Sequence, residues 1–144
     1  MPAASLATII DNDRARIAHV ATGVARLMAD AGVGPAARYA VELALDELVT
    51  NAVCHGYPDG ATGRIEVSVS VEAERVTLAI ADDGRPYDPL QASDPPIAGP
   101  LESRPIGGLG IHLVRSLMDE VRYRRDGDRN IVTCIVARRD DATR

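Results

Sequence analysis

The chain has 144 residues, 46% of them apolar, a formal charge of −5, and neither Phe nor Trp. Such a length suits one domain built around Ala, Val, Ile and Leu, and the acidic balance without a basic block or ring platforms argues against a nucleic-acid partner. No window is long and apolar enough for a membrane helix, and no basic-then-apolar leader opens the sequence.

SLATII (5–10) reads as a short strand. Asp11 or Asn12 then caps a helix whose apolar positions Ile17, Val20, Ala21, Val24, Leu27 and Met28 recur at helical spacing, and AGVG ends it. Gly34-Pro35 opens a second helix, with proline where its missing N–H costs nothing. Its apolar stripe is Val41, Ala44, Leu45, Leu48 and Ala52. Within ELVTNAVCHGY (47–57), Glu47 and Asn51 stand one turn apart beside that stripe, and His55 lies one turn further along the same line.

After YPDGATG, the segments IEVSVSV (65–71) and RVTLAIA (75–81) alternate with period two and predict a hairpin. DDG follows at once. Residues 85–106 hold six of the nine prolines and no periodicity, and so long an irregular stretch is functional or disordered. GGLG (107–110) opens a third helix with Ile111, Val114, Leu117 and Met118 on its apolar side. EVRYRR and NIVTCIVA then close a last hairpin around the RRDGDR tip. With no repeat and no linker, this order predicts an α+β sandwich with helices over one sheet face. Cys54 and Cys134 are far apart, with no CxxC, so both are expected to be small core fillers in a reducing cytoplasm.

Three motifs each admit a plain and a chemical reading. Glu47 and Asn51 are a solvated flank pair, or an amide that ligates a hard cation beside a carboxylate that handles a proton. Asp82-Asp83-Gly84 is an ordinary turn, or an aspartate at a cleft edge that accepts from an exocyclic amine such as adenine N6. Gly107 to Gly110 is a flexible approach to a helix, or a phosphate site at a helix N-terminus, without the G-K-[ST] of a P-loop.

Their order carries more than any one of them. An Asn-bearing helix, D-x-G after a strand, a proline-rich loop and GGLG at a helix start resemble the Bergerat ATP-binding fold of histidine-kinase catalytic domains, type II topoisomerases and 90-kDa chaperones. EL-VTNAV-HGY, IADDG and GGLGIHLVRSLMDEV look most like the anti-sigma-factor serine/threonine kinases of bacterial partner-switching systems, over roughly residues 10–137. Pro86, two positions after Gly84 where histidine kinases often carry a second glycine, favours that branch.

The resemblance implies an α+β fold, a two-layer α/β sandwich whose mixed, mostly antiparallel sheet is covered on one face by helices. It also implies one domain over 1–144 with an ATP lid at about 85–106. ATP and Mg²⁺ follow as cofactors. Asn51 matches the metal ligand, Glu47 the general base, and Asp82 with Gly84 the adenine-reading pair. Gly107, Gly108, Leu109 and Gly110 match the phosphate segment, and Thr133 a threonine that supports the adenine site. Arg104 either reaches the γ-phosphate or stays solvated, and His55 packs the helix end. The implied activity is a cytoplasmic, homodimeric kinase that sequesters a sigma factor or similar effector. It phosphorylates a serine of a STAS-domain antagonist, with no nucleic-acid or membrane contact. A non-catalytic, ATP-responsive anti-sigma module is the alternative, and Glu47 argues against it. A detached histidine-kinase catalytic domain would need a phospho-acceptor, and His19 has no acidic neighbour.

Overall fold

Five strands, Ala4–Asp11 (β1), Arg64–Val71 (β2), Arg75–Asp82 (β3), Glu120–Asp126 (β4) and Arg129–Ala137 (β5), form one sheet in the order β1-β2-β3-β5-β4. The computed structural model describes residues 4–13, 15–58, 61–91 and 108–138. Every pairing is antiparallel, so the sheet expected to be mostly antiparallel is wholly so among the described residues. Three helices, Ala15–Asp30 (α1), Pro35–Gly56 (α2) and Gly108–Leu117 (α3), complete the second layer.

Period-two patterning decides which face is covered. Ile65, Val67, Val69 and Val71 on β2, Val76, Leu78 and Ile80 on β3, and Val132, Cys134 and Val136 on β5 are all buried. Their alternates, such as Glu66, Arg75 and Thr133, are exposed or half-buried. α2 lies over β3 and β5 and is flanked by α1 and α3. It is therefore buried on more than its sequence stripe, with Ala37, Ala40, Val49 and Asn51 inside as well. The described core is mainly aliphatic as expected, joined by Tyr57, Met118 and Cys134, with Met28, Leu45, Ile65 and Leu78 the largest fully buried side chains. Gly34 precedes α2 and Pro35 begins it. Gly127, at φ +60°, sits in the tip of the last hairpin where Asp126 faces Arg129.

Two expectations need correction. Asp11 and Asn12 do not cap α1. Asp13 does, its Oδ1 accepting the Ala15 amide at 2.9 Å. Asn12 is engaged elsewhere, donating to Ala61 O at 2.6 Å and accepting from Gly63 N at 3.0 Å, which ties the end of β1 to the approach to β2. Cys54 is exposed on the outer side of α2, and only Cys134 fills the core, where burial pushes its thiol up to about 12. Spacing explains the miss, since Leu48, Ala52 and Gly56 take the inward positions of that helix segment.

Losing a side-chain cap typically costs about 1 kcal/mol. Asp13→Ala is expected to lower unfolding free energy by about that amount, read as a shifted urea midpoint with an unchanged slope.

Candidate functional site

Among the described residues, three polar side chains are buried: Asn51, Asp82 and Asn130, at 7%, 8% and 3% exposure. All three line one cleft between α2 and the ends of β3 and β5, walled also by Leu48, Ile80 and Tyr87. A buried polar group is costly unless it is hydrogen-bonded. The partners of these three therefore define the site.

Asp82 shares the inward parity of Leu78 and Ile80, so the last residue of β3 points under α2. Its Oδ1 accepts from Gly84 N and from Asn130 Nδ2, both at 2.9 Å. Asn130 stands directly across the ladder. Burial pushes the Asp82 carboxyl above its ordinary value, and the bonds from Asn130 and Gly84 pull against that rise. No described residue donates to Oδ2. Asn51 goes further, because its amide has no hydrogen-bond partner among the described residues although it is buried against the cleft.

The DDG turn is fastened to the end of α2. The backbone N–H of Arg85 donates to Gly56 O at 2.9 Å, and its Nε donates to His55 O at 2.7 Å. Those bonds satisfy terminal carbonyls that a helix leaves open. Gly84 permits the approach, since a Cβ there would lie 2.6 Å from Gly56 O and 2.7 Å from Gly56 Cα. Arg125 from β4 donates to Gly84 O at 2.9 Å. Asp83 turns outward and accepts from Tyr57 OH at 2.7 Å and Arg64 N at 2.9 Å. The Arg64 amide, first among its contacts, holds Asp83 below its ordinary value. The Tyr57 hydroxyl is held well above its own, by burial and then by Asp83.

Glu47 is half-buried, and its carboxylate lies against Gly110 in the first turn of α3 so closely that a Cβ at 110 would collide with it. Burial, then the neighbouring Asp46 charge, raises the Glu47 carboxyl above its ordinary value. Gly108, Leu109 and Gly110 open α3, while Gly107 and Arg104 lie outside the described residues. His55 stacks on Tyr87, with ring centroids 4.4 Å apart and planes 10° from parallel.

Thr133 requires a correction. It is half-buried on the sheet face away from the helices, beside Arg122 and Arg124, and is not in the cleft. The alternation of β5 forces this, because the inward set is Asn130, Val132, Cys134 and Val136. Asn130 occupies the place expected for Thr133. The signal was present in NIVTCIVA as an amide in phase with the apolar positions. Tyr87, in an aperiodic stretch, left no such trace.

A family profile described as the histidine kinase-like ATPase domain matches residues 10–136. The chain is 38% identical over 91 residues to the serine/threonine-protein kinase BtrW of Bordetella bronchiseptica, covering 62% of this chain and 64% of that protein. It is 33% identical over 88 residues to the serine-protein kinase RsbW of Bacillus subtilis, covering 57% and 54%. It is also 30% identical over 81 residues to an anti-sigma F factor of Anoxybacillus flavithermus, covering 56% of each. The chain thus spans somewhat more than half the length of the curated relatives it matches. A crystal structure of the RsbU and RsbW domains of a Mycobacterium tuberculosis protein superposes on 94% of this chain and 32% of its own, at TM-score 0.68 and 19% identity. At that identity the likeness speaks for the fold alone.

Gly84→Ala should cost about 1–3 kcal/mol, because rigid backbone must move. Gly56→Ala should be far milder, since its Cβ would meet nothing nearer than 3.5 Å. Paired urea melts decide the contrast. A second expectation follows from Asp82. A carboxyl raised in the folded state takes up a proton on folding between its unfolded and folded values, so its cost is full above that window and absent below it. Asp82→Asn should therefore be more stable than the wild type at neutral pH, and the advantage should vanish toward about pH 4.

Proposed function

The chain belongs to the histidine kinase-like ATPase domain family, and on that premise we propose that it is an ATP-dependent anti-sigma factor and protein serine/threonine kinase. One observation carries the reading. The three buried polar side chains converge on a single cleft, and Asn51, on the helix side of it, has no hydrogen-bond partner among the described residues. An unsatisfied buried polar group costs about 1–3 kcal/mol, which a ligand in the cleft would offset.

Asp82 Oδ2, an acceptor with no described donor, suits an exocyclic amine, and adenine N6 is one. Gly84 keeps the wall beside it thin. Asn51 Oδ1 would hold Mg²⁺, a hard cation that needs few protein ligands. Bound there, the ion would neutralise phosphate charge. The N–H groups of Gly108, Leu109 and Gly110, at the positive end of α3, would meet phosphate oxygens. Glu47 would take the hydroxyl proton of the incoming serine, and its raised carboxyl suits a base working nearer neutrality. We assign Gly107 to the phosphate segment, Arg104 to the γ-phosphate, and 85–106 to a lid that excludes water. The work of the chain is positioning and charge stabilisation, as phosphoryl transfer demands.

The partner classes come from the relatives' names and from the motif resemblance. They are a sigma factor or similar effector that is held, and a STAS-domain antagonist that is phosphorylated. Among the described residues no helix is long and apolar enough to cross a membrane. We assign the chain to the cytoplasm as a homodimer.

The two helix residues should fail differently. Asn51→Ala is expected to weaken Mg·ATP binding and every step that depends on it. Glu47→Gln should keep ATP binding and partner capture, while phosphoryl transfer falls about 10²–10⁴-fold. Isothermal titration with ATP, alongside transfer from labelled ATP to the antagonist, separates the two. Transfer at the wild-type rate by Glu47→Gln would remove Glu47 as the base and favour a purely positional role.

A further inference from the structure

Asn130 makes more contacts at the cleft than any other side chain described there. Its Oδ1 accepts from Tyr123 OH at 2.7 Å and Tyr87 N at 3.2 Å. Its Nδ2 donates to Asp82 Oδ1 at 2.9 Å and Arg85 O at 2.8 Å. Two of these partners have fixed polarity, because a backbone N–H only donates and a backbone carbonyl only accepts. The amide therefore has one permitted orientation, and its NH₂ must face Asp82. Two N–H groups, from Asn130 and Gly84, then converge on Asp82 Oδ1.

We infer that Asn130 is the positioning residue that fixes the base preference of the cleft, by holding Asp82 as a hydrogen-bond acceptor. The inference rests on the nucleotide reading above. An ionised Asp82 offers Oδ2 as an acceptor and suits the amine of adenine. A protonated Asp82 offers a donor and suits the carbonyl at the same place in guanine. Donors fixed on Oδ1 stabilise the ionised form, against the burial that disfavours it.

Other charges near Asp82 act on the same balance. Asp83, next in the chain, opposes ionisation, and Arg125 from β4 supports it. Arg64 from β2 and Tyr57 after α2 engage Asp83. Tyr87 of the loop lines the same cleft, and Arg85 of that loop takes the other amide hydrogen of Asn130 on its backbone carbonyl. None of these can replace the donor of Asn130 on Oδ1, because Gly84 N is the only other group placed there among the described residues.

The test uses the full chain and the variants Asn130→Leu and Asn130→Ser. The first removes both amide functions, and the second keeps a short hydroxyl should the first fail to fold. ADP and GDP affinities are titrated from about pH 5 to 8.5, and the Asp82 carboxyl is followed by carbon NMR without nucleotide. Losing one charge-assisted hydrogen bond should raise the Asp82 midpoint by about one pH unit or more. The preference for ADP over GDP should collapse about one unit higher in pH than in the wild type, and recover in alkaline buffer. An Asp82 titration and an ADP/GDP profile that coincide with the wild type would overturn the inference alone. Failure of the wild type to bind ADP would remove the nucleotide reading, and the inference with it.

Discussion

The cleft depends on one close approach, that of Gly84 to the backbone of Gly56. Two segments far apart in sequence meet there, the last turn of α2 and the turn after β3. The carbonyls of His55 and Gly56 would otherwise end a helix unsatisfied, and Arg85 closes both with one residue. With that contact made, Asn51 on the helix and Asp82 on the strand border the same cavity. Were the turn to stand off by the width of a methyl group, the carboxylate and the amide would no longer share it. Tight packing makes such a shift costly across the whole layer.

Adjacent aspartates show how strongly this local geometry governs chemistry. Asp82 and Asp83 are neighbours in the chain, yet their carboxyls move in opposite directions. Asp82 faces inward under α2, and desolvation lifts it. Asp83 faces outward, and the amide of Arg64 with the hydroxyl of Tyr57 lowers it. The strand pleat alone separates them, since successive residues point to opposite faces. One carboxylate faces the cleft, and the other fastens the turn to β2.

Buried polarity is concentrated here and nowhere else among the described residues. The remainder of the described core is mainly aliphatic, apart from Tyr57, whose hydroxyl is bonded to Asp83 and to Arg64 O. Asn130 satisfies itself fully, Asp82 partly, and Asn51 not at all within the described chain. This gradient runs from the sheet, which carries Asn130 and Asp82, toward the helix layer, which carries Asn51. A buried polar group without a partner lowers stability locally.

Much of this protein was legible in its sequence because periodicity is a local property. The alternation in IEVSVSV and RVTLAIA determined which residues of β2 and β3 face inward, and Gly34-Pro35 marked where α2 begins. The motifs around Asn51, Asp82 and Gly110 pointed to the family that the chain belongs to. What the sequence could not determine were partners across long separations. The cap of α1 passed to Asp13 because the loop at Ala61 and Gly63 claimed Asn12. Thr133 lost its expected place to Asn130 because the pairing of β5 with β3 sets Asn130 against Asp82 and turns Thr133 to the far face. The burial of Asn51 came from seating α2 over β3 and β5, whose residues share its cleft. Residue types and their spacing decided the elements, while the register of the strands and the seating of one helix decided which polar groups meet, because hydrogen bonds act only at contact distance.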